Sequence, residues 1–168
     1  MEAEPQEKYP VRIRVLVYDR NADIRRAIGD FVDRQADLET CEVAGAPEPL
    51  LRGAARWKPD VVVLGLSSGG EDGLELIGRI HGRHPGARVL ALSPSDRHAG
   101  GLQARAAGAL GYVGKYAAAA DLLSGIRVVA AGLRYGIPDG GADRHRDPND
   151  EDGMAGHSPR RTPRASIP

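Results

Sequence analysis

The sequence has 168 residues, of which 41% are hydrophobic and 27% charged, a balance that suits one soluble domain rather than two. Basic and acidic side chains each number 23, so no net charge would hold the whole protein on nucleic acid or an anionic membrane. The single cysteine, Cys41, excludes a disulfide framework and fits a reducing cytoplasm. The longest apolar run, residues 61–64, is too short to span a bilayer, so we expect no membrane association.

Short apolar runs alternate with longer helix-like segments from residue 11 to about residue 138, which is typical of parallel β-α units. The predicted strands cover residues 13–18, 39–44, 60–65, 88–92 and 109–113. The first, third and fourth are nearly all apolar, as strands covered on both faces should be. We therefore place these three strands at the centre of the sheet.

Helices are predicted between the strands and after the last one, at residues 22–36, 47–57, 72–83, 97–107 and 117–132. The fourth contains Gly100 and Gly101, each of which costs roughly 1 kcal/mol relative to alanine inside a helix. We expect that helix to be frayed or mobile. The fifth is expected to stop at Gly132.

The two ends of the chain differ in composition from the segment between them. Residues 1–10 are predicted to be a flexible N-terminal segment, residues 11–138 a single domain and residues 139–168 a disordered tail. The tail contains almost no large apolar side chain, so its burial could not offset the entropy of ordering it. Its acidic part precedes a basic part, which predicts a solvated tail or, as an alternative, contact with phosphate.

Five motifs follow one another along the chain with ordinary spacings. They are Val15-Leu16-Val17-Tyr18-Asp19, then Lys58-Pro59-Asp60-Val61-Val62-Val63-Leu64, Asp72-Gly73, Arg88-Val89-Leu90-Ala91-Leu92-Ser93, and Ala107-Gly108-Ala109-Leu110-Gly111-Tyr112-Val113-Gly114-Lys115. Together they resemble the CheY-like receiver domain of response regulators, most closely the receiver half of the NarL/FixJ class. The resemblance implies a flavodoxin-like, doubly wound sheet of five parallel strands in the order 2-1-3-4-5, with helices on both faces.

The same resemblance implies a phosphoryl site at the carboxyl ends of the strands. In the family, a histidine kinase gives a phosphoryl group to an aspartate that ends the third strand, with Mg²⁺ held by an acidic pair after the first. Here Ser93 and Lys115 fall on the family's hydroxyl and lysine, and Asp19 on its first acidic position. Arg20 stands at the second acidic position, and a guanidinium does not ligate a cation. Gly65 stands at the acceptor.

We therefore expect a vestigial phosphoryl site with no catalytic residue, no metal ligand set and lost or weak Mg²⁺ binding, in a protein that is not an enzyme. Two interpretations of the crevice stay open. In one, Asp19, Arg20 and Lys115 neutralise one another. In the other, Arg20, Ser93 and Lys115 bind an anion.

Three acceptor substitutes and a switch residue complete the list of candidates. Asp72 is expected to cap the third helix, although Asp72, Glu71 or Ser67 could replace the missing acceptor. Tyr112 falls on the family's switch position, where it either packs or retains a conformational switch.

The sequence thus favours an atypical receiver, or pseudo-receiver, of a two-component system that acts without phosphorylation, by protein contact. The expected contact is with a protein partner or a second copy of the chain, through the face of helix 4, strand 5 and helix 5 or through helix 1 and helix 5. The alternatives are a sensor of a small anionic ligand and a transcription regulator that acts through a partner. Direct DNA binding is not expected, because no pair of helices resembling a helix-turn-helix follows residue 138.

Overall fold

The computed structural model describes residues 11–67, 71–94, 98–117 and 119–137. The predicted flexible segment 1–10 and the predicted tail 139–168 lie outside the described residues, so both stay predictions. Strands and helices alternate along the described part of the chain. They are β1 (Ile13–Tyr18), α1 (Ala22–Asp33), β2 (Leu38–Ala44), α2 (Pro47–Trp57), β3 (Val61–Gly65), α3 (Glu71–Arg83), β4 (Arg88–Ser93), α4 (His98–Ala107), β5 (Gly111–Gly114) and α5 (Ala119–Ala130).

The strands form a single five-stranded sheet in the order β2-β1-β3-β4-β5, and every neighbouring pair is parallel. The predicted fold class and strand order are confirmed. The predicted centre of the sheet is confirmed as well, since β1, β3 and β4 occupy the interior positions. The sheet therefore brings the carboxyl ends of β1, β3, β4 and β5 to one edge, where a parallel sheet of this kind places its binding crevice.

Side chains that alternate along the interior strands supply two hydrophobic cores, one on each face of the sheet. On one face Leu16 and Leu64 pack with apolar residues of α2, α3 and α4. On the other face Val15 and Val63 pack with apolar residues of α1 and α5. Because both faces are covered, the strands carry continuous apolar sequence rather than an alternating pattern.

The helix bounds show where local pattern and tertiary structure differ. The predicted bounds of β1 and α2 match the structure, but α1 ends at Asp33, three residues before the predicted end. The side chain of Asp33 accepts a hydrogen bond from the backbone N–H of Thr40 (2.7 Å), which ties the end of α1 to β2. Only residues 34–37 are left to connect the two elements. None of the helices in the described part of the chain has the length and apolar character that crossing a bilayer requires.

Candidate functional site

A small crevice lies where β1, β3 and β5 end. It has a volume of about 40 Å³, and the predicted site residues Asp19, Arg20, Gly65 and Lys115 line it. Ser93 ends β4 nearby; it is buried and does not line the cavity. A volume of this size holds a few water molecules at most. Four of the five residues predicted for the phosphoryl site thus line one cavity, and the backbone N–H of Lys115 donates to the carbonyl oxygen of the fifth, Ser93 (2.6 Å).

The buried charge of the crevice is an ion pair between Asp19 and Lys115. Nζ of Lys115 lies 2.6 Å from Oδ2 of Asp19, and the two side chains are 11% and 4% exposed. Oδ2 receives no well-aligned hydrogen bond, so the lysine charge is what compensates this buried oxygen. The other carboxylate oxygen, Oδ1, accepts the backbone N–H of Asn21 at 2.9 Å. Both oxygens of Asp19 are therefore already engaged.

The Asp19 carboxylate fills the space next to Gly65. A Cβ atom placed on residue 65 would overlap Oδ2 of Asp19 and lie 2.7 Å from its Cγ. An acceptor aspartate at position 65 would need that space for its own side chain. Asp19 can therefore lie in this inward position because Gly65 has no side chain.

Arg20 pairs with a different carboxylate. Its Nη2 lies 3.0 Å from Oδ2 of Asp72, on α3, and the two side chains are 57% and 70% exposed. The pKa of Arg20 is raised, first by a hydrogen bond and charge interaction with Tyr18 and then by the charge of Asp72. The mutual neutralisation predicted for Asp19, Arg20 and Lys115 is thus found for Asp19 and Lys115, whereas Arg20 has a separate acidic partner.

The predicted cap role of Asp72 was wrong. Asp72 is the second residue of α3, inside the helix, and its carboxylate accepts from Arg20. The other two candidates for a substitute acceptor lie in or near the same loop. Ser67 lines the crevice and is exposed, and the side chain of Glu71 lies outside the described residues.

The β1–α1 loop is held by two residues that the sequence did not single out. Nη1 of Arg25 donates to the backbone carbonyl oxygens of Asp19 (2.7 Å) and Arg20 (3.1 Å). Asn21 caps α1, since its Oδ1 accepts the N–H groups of Asp23 and Ile24. An asparagine directly before an amphipathic segment is a signal for a cap, so Asn21 could have been found from the sequence. Arg25 could not, because its contacts depend on the folded loop.

The donor set at the crevice fits Mg²⁺ poorly. A hard divalent cation needs several oxygen ligands, with carboxylates as the preferred protein donors. Asp19 and Asp72 each offer one carboxylate, but these are paired with Lys115 and Arg20, and Gly65 offers no side chain. Among the described residues, no three His, Cys, Asp or Glu side chains are grouped as a metal site would require.

Tyr112, the predicted switch residue, lies on β5 at the edge of the sheet. Its side chain is 8% exposed and belongs to the core on the α2–α3–α4 face. Its backbone N–H donates to the carbonyl of Tyr135 at 2.9 Å. The tyrosine is therefore turned inward.

The parallel β2-β1-β3-β4-β5 sheet, with a lysine after β5 and an aspartate after β1 at one crevice, defines a CheY-like α/β domain of the kind used in signal transduction. A family model, the response regulator receiver domain, matches residues 15–127. The chain belongs to this family.

Relatives and solved structures agree with this assignment. The chain is 34% identical over 129 residues to the response regulator GacA of Pseudomonas viridiflava, a match that covers 75% of this chain and 59% of GacA. It is 28% identical over 120 residues to the DNA-binding transcriptional activator DevR/DosR of Mycobacterium tuberculosis, covering 71% of this chain and 55% of that protein. The chain thus spans less than two thirds of the length of these curated relatives.

Among solved structures, a LuxR-family two-component response regulator from Aurantimonas sp. SI85-9A1 superimposes with a TM-score of 0.69 at 28% identity, covering 76% of this chain and 91% of that chain. The receiver domain of NarL from Mycobacterium tuberculosis superimposes with a TM-score of 0.67 at 24% identity, covering 73% and 99%, which supports the fold alone. Receiver domains are signalling domains, but an enzyme also occurs among the relatives. A protein-glutamate methylesterase/protein-glutamine glutaminase from Anaeromyxobacter dehalogenans is 32% identical over 122 residues, covering 73% of this chain and 36% of that protein.

Proposed function

We propose that this chain is an atypical receiver domain that signals by protein contact and does not depend on phosphorylation. The observation that carries the proposal is the Asp19 carboxylate, which fills the space beside Gly65 and pairs with Lys115. The resemblance assigns Lys115 to holding a phosphoryl group, but in this arrangement Lys115 is already paired with the Asp19 carboxylate. The lysine is thereby neutralised without a phosphoryl donor.

Loss of Mg²⁺ binding belongs to the same proposal. Phosphoryl transfer depends on positive charge that neutralises the phosphoryl oxygens and on a nucleophile that attacks phosphorus in line. Two carboxylates of the described residues line the crevice, Asp19 and Asp72, and they are paired with Lys115 and Arg20 respectively. A bound cation would have to compete with both basic side chains for these carboxylates.

The crevice supports an anion sensor less well. Such a sensor needs donors that are available to its ligand, but Lys115 pairs with Asp19 and Arg20 pairs with Asp72. The volume of about 40 Å³ also leaves space for little more than water. We therefore prefer protein contact to small-ligand binding.

The surface that we propose for this contact is the face of α4, β5 and α5. Among the described residues, five large hydrophobic side chains are exposed, and three belong to this part of the chain: Leu102 on α4, Tyr116 after β5 and Leu133 after α5. Exposed aromatic and apolar side chains are typical anchors of protein interfaces. A groove of about 330 Å³ between α1 and α5, lined by Ile24, Phe31 and Leu122 among others, is the alternative surface that the sequence also predicted.

The phosphorylation claim can be tested with acetyl phosphate and Mg²⁺. We expect the intact mass of the full chain to stay unchanged after incubation. The matched comparison is the variant Arg20→Asp/Gly65→Asp, which restores a carboxylate at both altered positions. Because the new side chain at position 65 displaces the Asp19 carboxylate from the space that it fills, this variant is expected to gain a labile adduct with the mass of one phosphoryl group. A stoichiometric adduct on the unaltered chain would refute the proposal.

The surface claim is tested with Tyr116→Ala, which removes the exposed ring that follows β5. The control is Val43→Ala, which removes an exposed apolar side chain on β2, at the opposite edge of the sheet. In sedimentation velocity across a concentration series, we expect Tyr116→Ala to weaken self-association and Val43→Ala to leave it unchanged. If only Val43→Ala weakens self-association, the interface lies at the β2 edge and the surface claim is wrong.

A transcriptional output would come through a partner. DNA binding is stated in the name of DevR/DosR, of which this chain matches 55%. We propose that any sequence-specific contact with DNA in such an output is made by another protein. We also propose that this chain itself catalyses no reaction.

A further inference from the structure

The side chain of Tyr112 lies directly against Gly100 of α4. A Cβ atom placed on Gly100 would overlap the hydroxyl oxygen of Tyr112 and lie 3.2 Å from its Cζ and 3.6 Å from its Cε2. Any other residue at position 100 would therefore collide with the inward tyrosine. The missing side chain of Gly100 forms a slot in α4 into which the end of Tyr112 fits.

A glycine inside a helix needs such a packing reason. Glycine is among the poorest helix formers because the unfolded chain loses more backbone freedom there than with any other residue. Gly100 is nevertheless followed by a second glycine within a helix of ten residues, His98–Ala107. Close approach of the tyrosine explains why Gly100 in particular carries no side chain.

The backbone of β5 is fixed on both sides of this contact. Near the start of β5, the backbone N–H of Tyr112 donates to the carbonyl oxygen of Tyr135 (2.9 Å). The N–H of Tyr135 in turn donates to the carbonyl oxygen of Leu110 (3.2 Å). At the other end, the N–H of Lys115 donates to the carbonyl of Ser93 (2.6 Å), and its side chain pairs with Asp19. The strand that carries Tyr112 is thus anchored at the crevice and at the segment after α5.

We propose that Gly100 forms a slot that holds Tyr112 in the inward conformation and so keeps the α4–β5–α5 face in a single state. This inference rests on the proposed function and deepens it by naming what sets the conformation of the docking face. Where no phosphoryl group is added, a conformation has to be selected by the packing of the chain itself, because only a difference in interaction energy between two states shifts their populations.

The test is hydroxyl-radical footprinting of the full chain, read by mass spectrometry at individual tyrosines. Tyr116 is 86% exposed and serves as the internal standard for a freely accessible ring. In the unaltered protein, we expect Tyr112 to be protected relative to Tyr116. In Gly100→Ala the added methyl group displaces the hydroxyl, so the oxidation rate of Tyr112 should rise toward that of Tyr116.

Gly82→Ala is the matched control, because a Cβ atom on this glycine of α3 would meet no atom within 4 Å. We expect it to leave the protection of Tyr112 unchanged. If Tyr112 remains protected in Gly100→Ala, the slot does not hold the tyrosine and the inference is overturned.

A second variant covers the case in which Gly100→Ala fails to fold. In Gly100→Ala/Tyr112→Phe the overlapping oxygen is gone, so we expect a folded protein by circular dichroism, with the ring at position 112 protected. Failure of this double variant to fold would also overturn the inference, because the collision would then not lie with the hydroxyl.

Repeating the footprinting with acetyl phosphate and Mg²⁺ separates the two proposals. We expect the unaltered chain to show the same Tyr112 protection with and without the phosphoryl donor. A phosphoryl adduct with unchanged protection of Tyr112 would refute the proposed function but leave the inference about Gly100 standing. A loss of Tyr112 protection on adduct formation would overturn both proposals. Protection in Gly100→Ala without an adduct would overturn the slot alone.

Discussion

Two ion pairs at the same end of the sheet differ in their burial and in the distance between their charged atoms. Asp19 and Lys115 form a contact of 2.6 Å between side chains that are nearly excluded from solvent. Arg20 and Asp72 form a contact of 3.0 Å between side chains that are mostly exposed. An exposed pair is screened by water and adds little stability, whereas one member of a buried pair cannot be removed without leaving an uncompensated charge. The buried pair therefore sets the conformation of the crevice, and the exposed pair mainly sets its surface charge.

Removing the lysine of the buried pair is expected to have the largest effect. Lys115→Met leaves the carboxylate of Asp19 buried without its partner, which typically costs about 3–5 kcal/mol. The free energy of unfolding from urea titration at neutral pH measures this loss. A loss comparable with that of a surface substitution would show that Asp19 turns outward to solvent instead.

Removing both charges should cost less than removing one. In Asp19→Asn/Lys115→Met no charge remains buried, and the amide retains an oxygen that can accept the N–H of Asn21. Replacement of a buried pair by uncharged groups is often close to neutral, so the double variant should regain much of the stability that Lys115→Met loses. Equal destabilisation of the single and double variants would contradict the role that we assign to the buried charge.

The exposed ion pair of Asp37 and Arg127, away from the crevice, shows how much an exposed pair contributes to stability and how that contribution depends on pH. Nε and Nη2 of Arg127 lie 2.7 Å and 2.9 Å from the two carboxylate oxygens of Asp37, and a hydrogen bond from Arg127 is the main cause that lowers the pKa of Asp37 below its ordinary value of 3.8. Because the folded-state pKa is the lower one, this pair stabilises the fold above pH 3.8 and stops doing so as the pH falls through the folded-state value.

Asp37→Asn should therefore reduce stability slightly at neutral pH, by less than about 1 kcal/mol because both side chains are partly exposed to screening solvent. The difference from the unaltered protein should disappear below the folded-state pKa of Asp37. Urea titrations at neutral and acidic pH measure both quantities. A difference that grows in acid would have the wrong sign for this interpretation.

The smallest effect is expected at the mouth of the crevice. Asp72→Asn removes the charge that faces Arg20, and the urea midpoint should stay the same within measurement error because the pair is open to solvent. The double-mutant cycle with Arg20→Gln should give no measurable coupling. A midpoint shift as large as that of Lys115→Met would remove the contrast between the two pairs.

Much of the fold could be predicted from the sequence because it depends on local patterns of apolar and polar residues. The all-apolar strands β1, β3 and β4 are buried on both faces, and this alone places them in the centre of the sheet. Order along the chain then fixes the crossovers, since parallel β-α units connect in one hand. The bounds were least accurate at the end of α1, where the hydrogen bond of Asp33 to β2 decides where the helix stops.

The candidate site could be predicted in part. Gly65 and Arg20 are visible as departures from the family pattern without any structure. That Asp19 occupies the space beside Gly65, and that Arg20 turns to Asp72 on α3, depends on side-chain directions that no local pattern encodes. The contact of Tyr112 with Gly100 is of the same kind, since the sequence indicated only that two glycines weaken α4. The tertiary neighbours, rather than the residue types, decide what each of these side chains does.

The most direct test of the central claim is an amide NMR titration of the full chain with beryllofluoride and Mg²⁺, which together imitate a phosphorylated aspartate. We predict that the signals of Asp19, Gly65, Tyr112 and Lys115 stay at their positions, because the buried pair already occupies the crevice. Saturable shifts at these residues would contradict the account, since they would show a phosphoryl site that still binds and still moves the tyrosine.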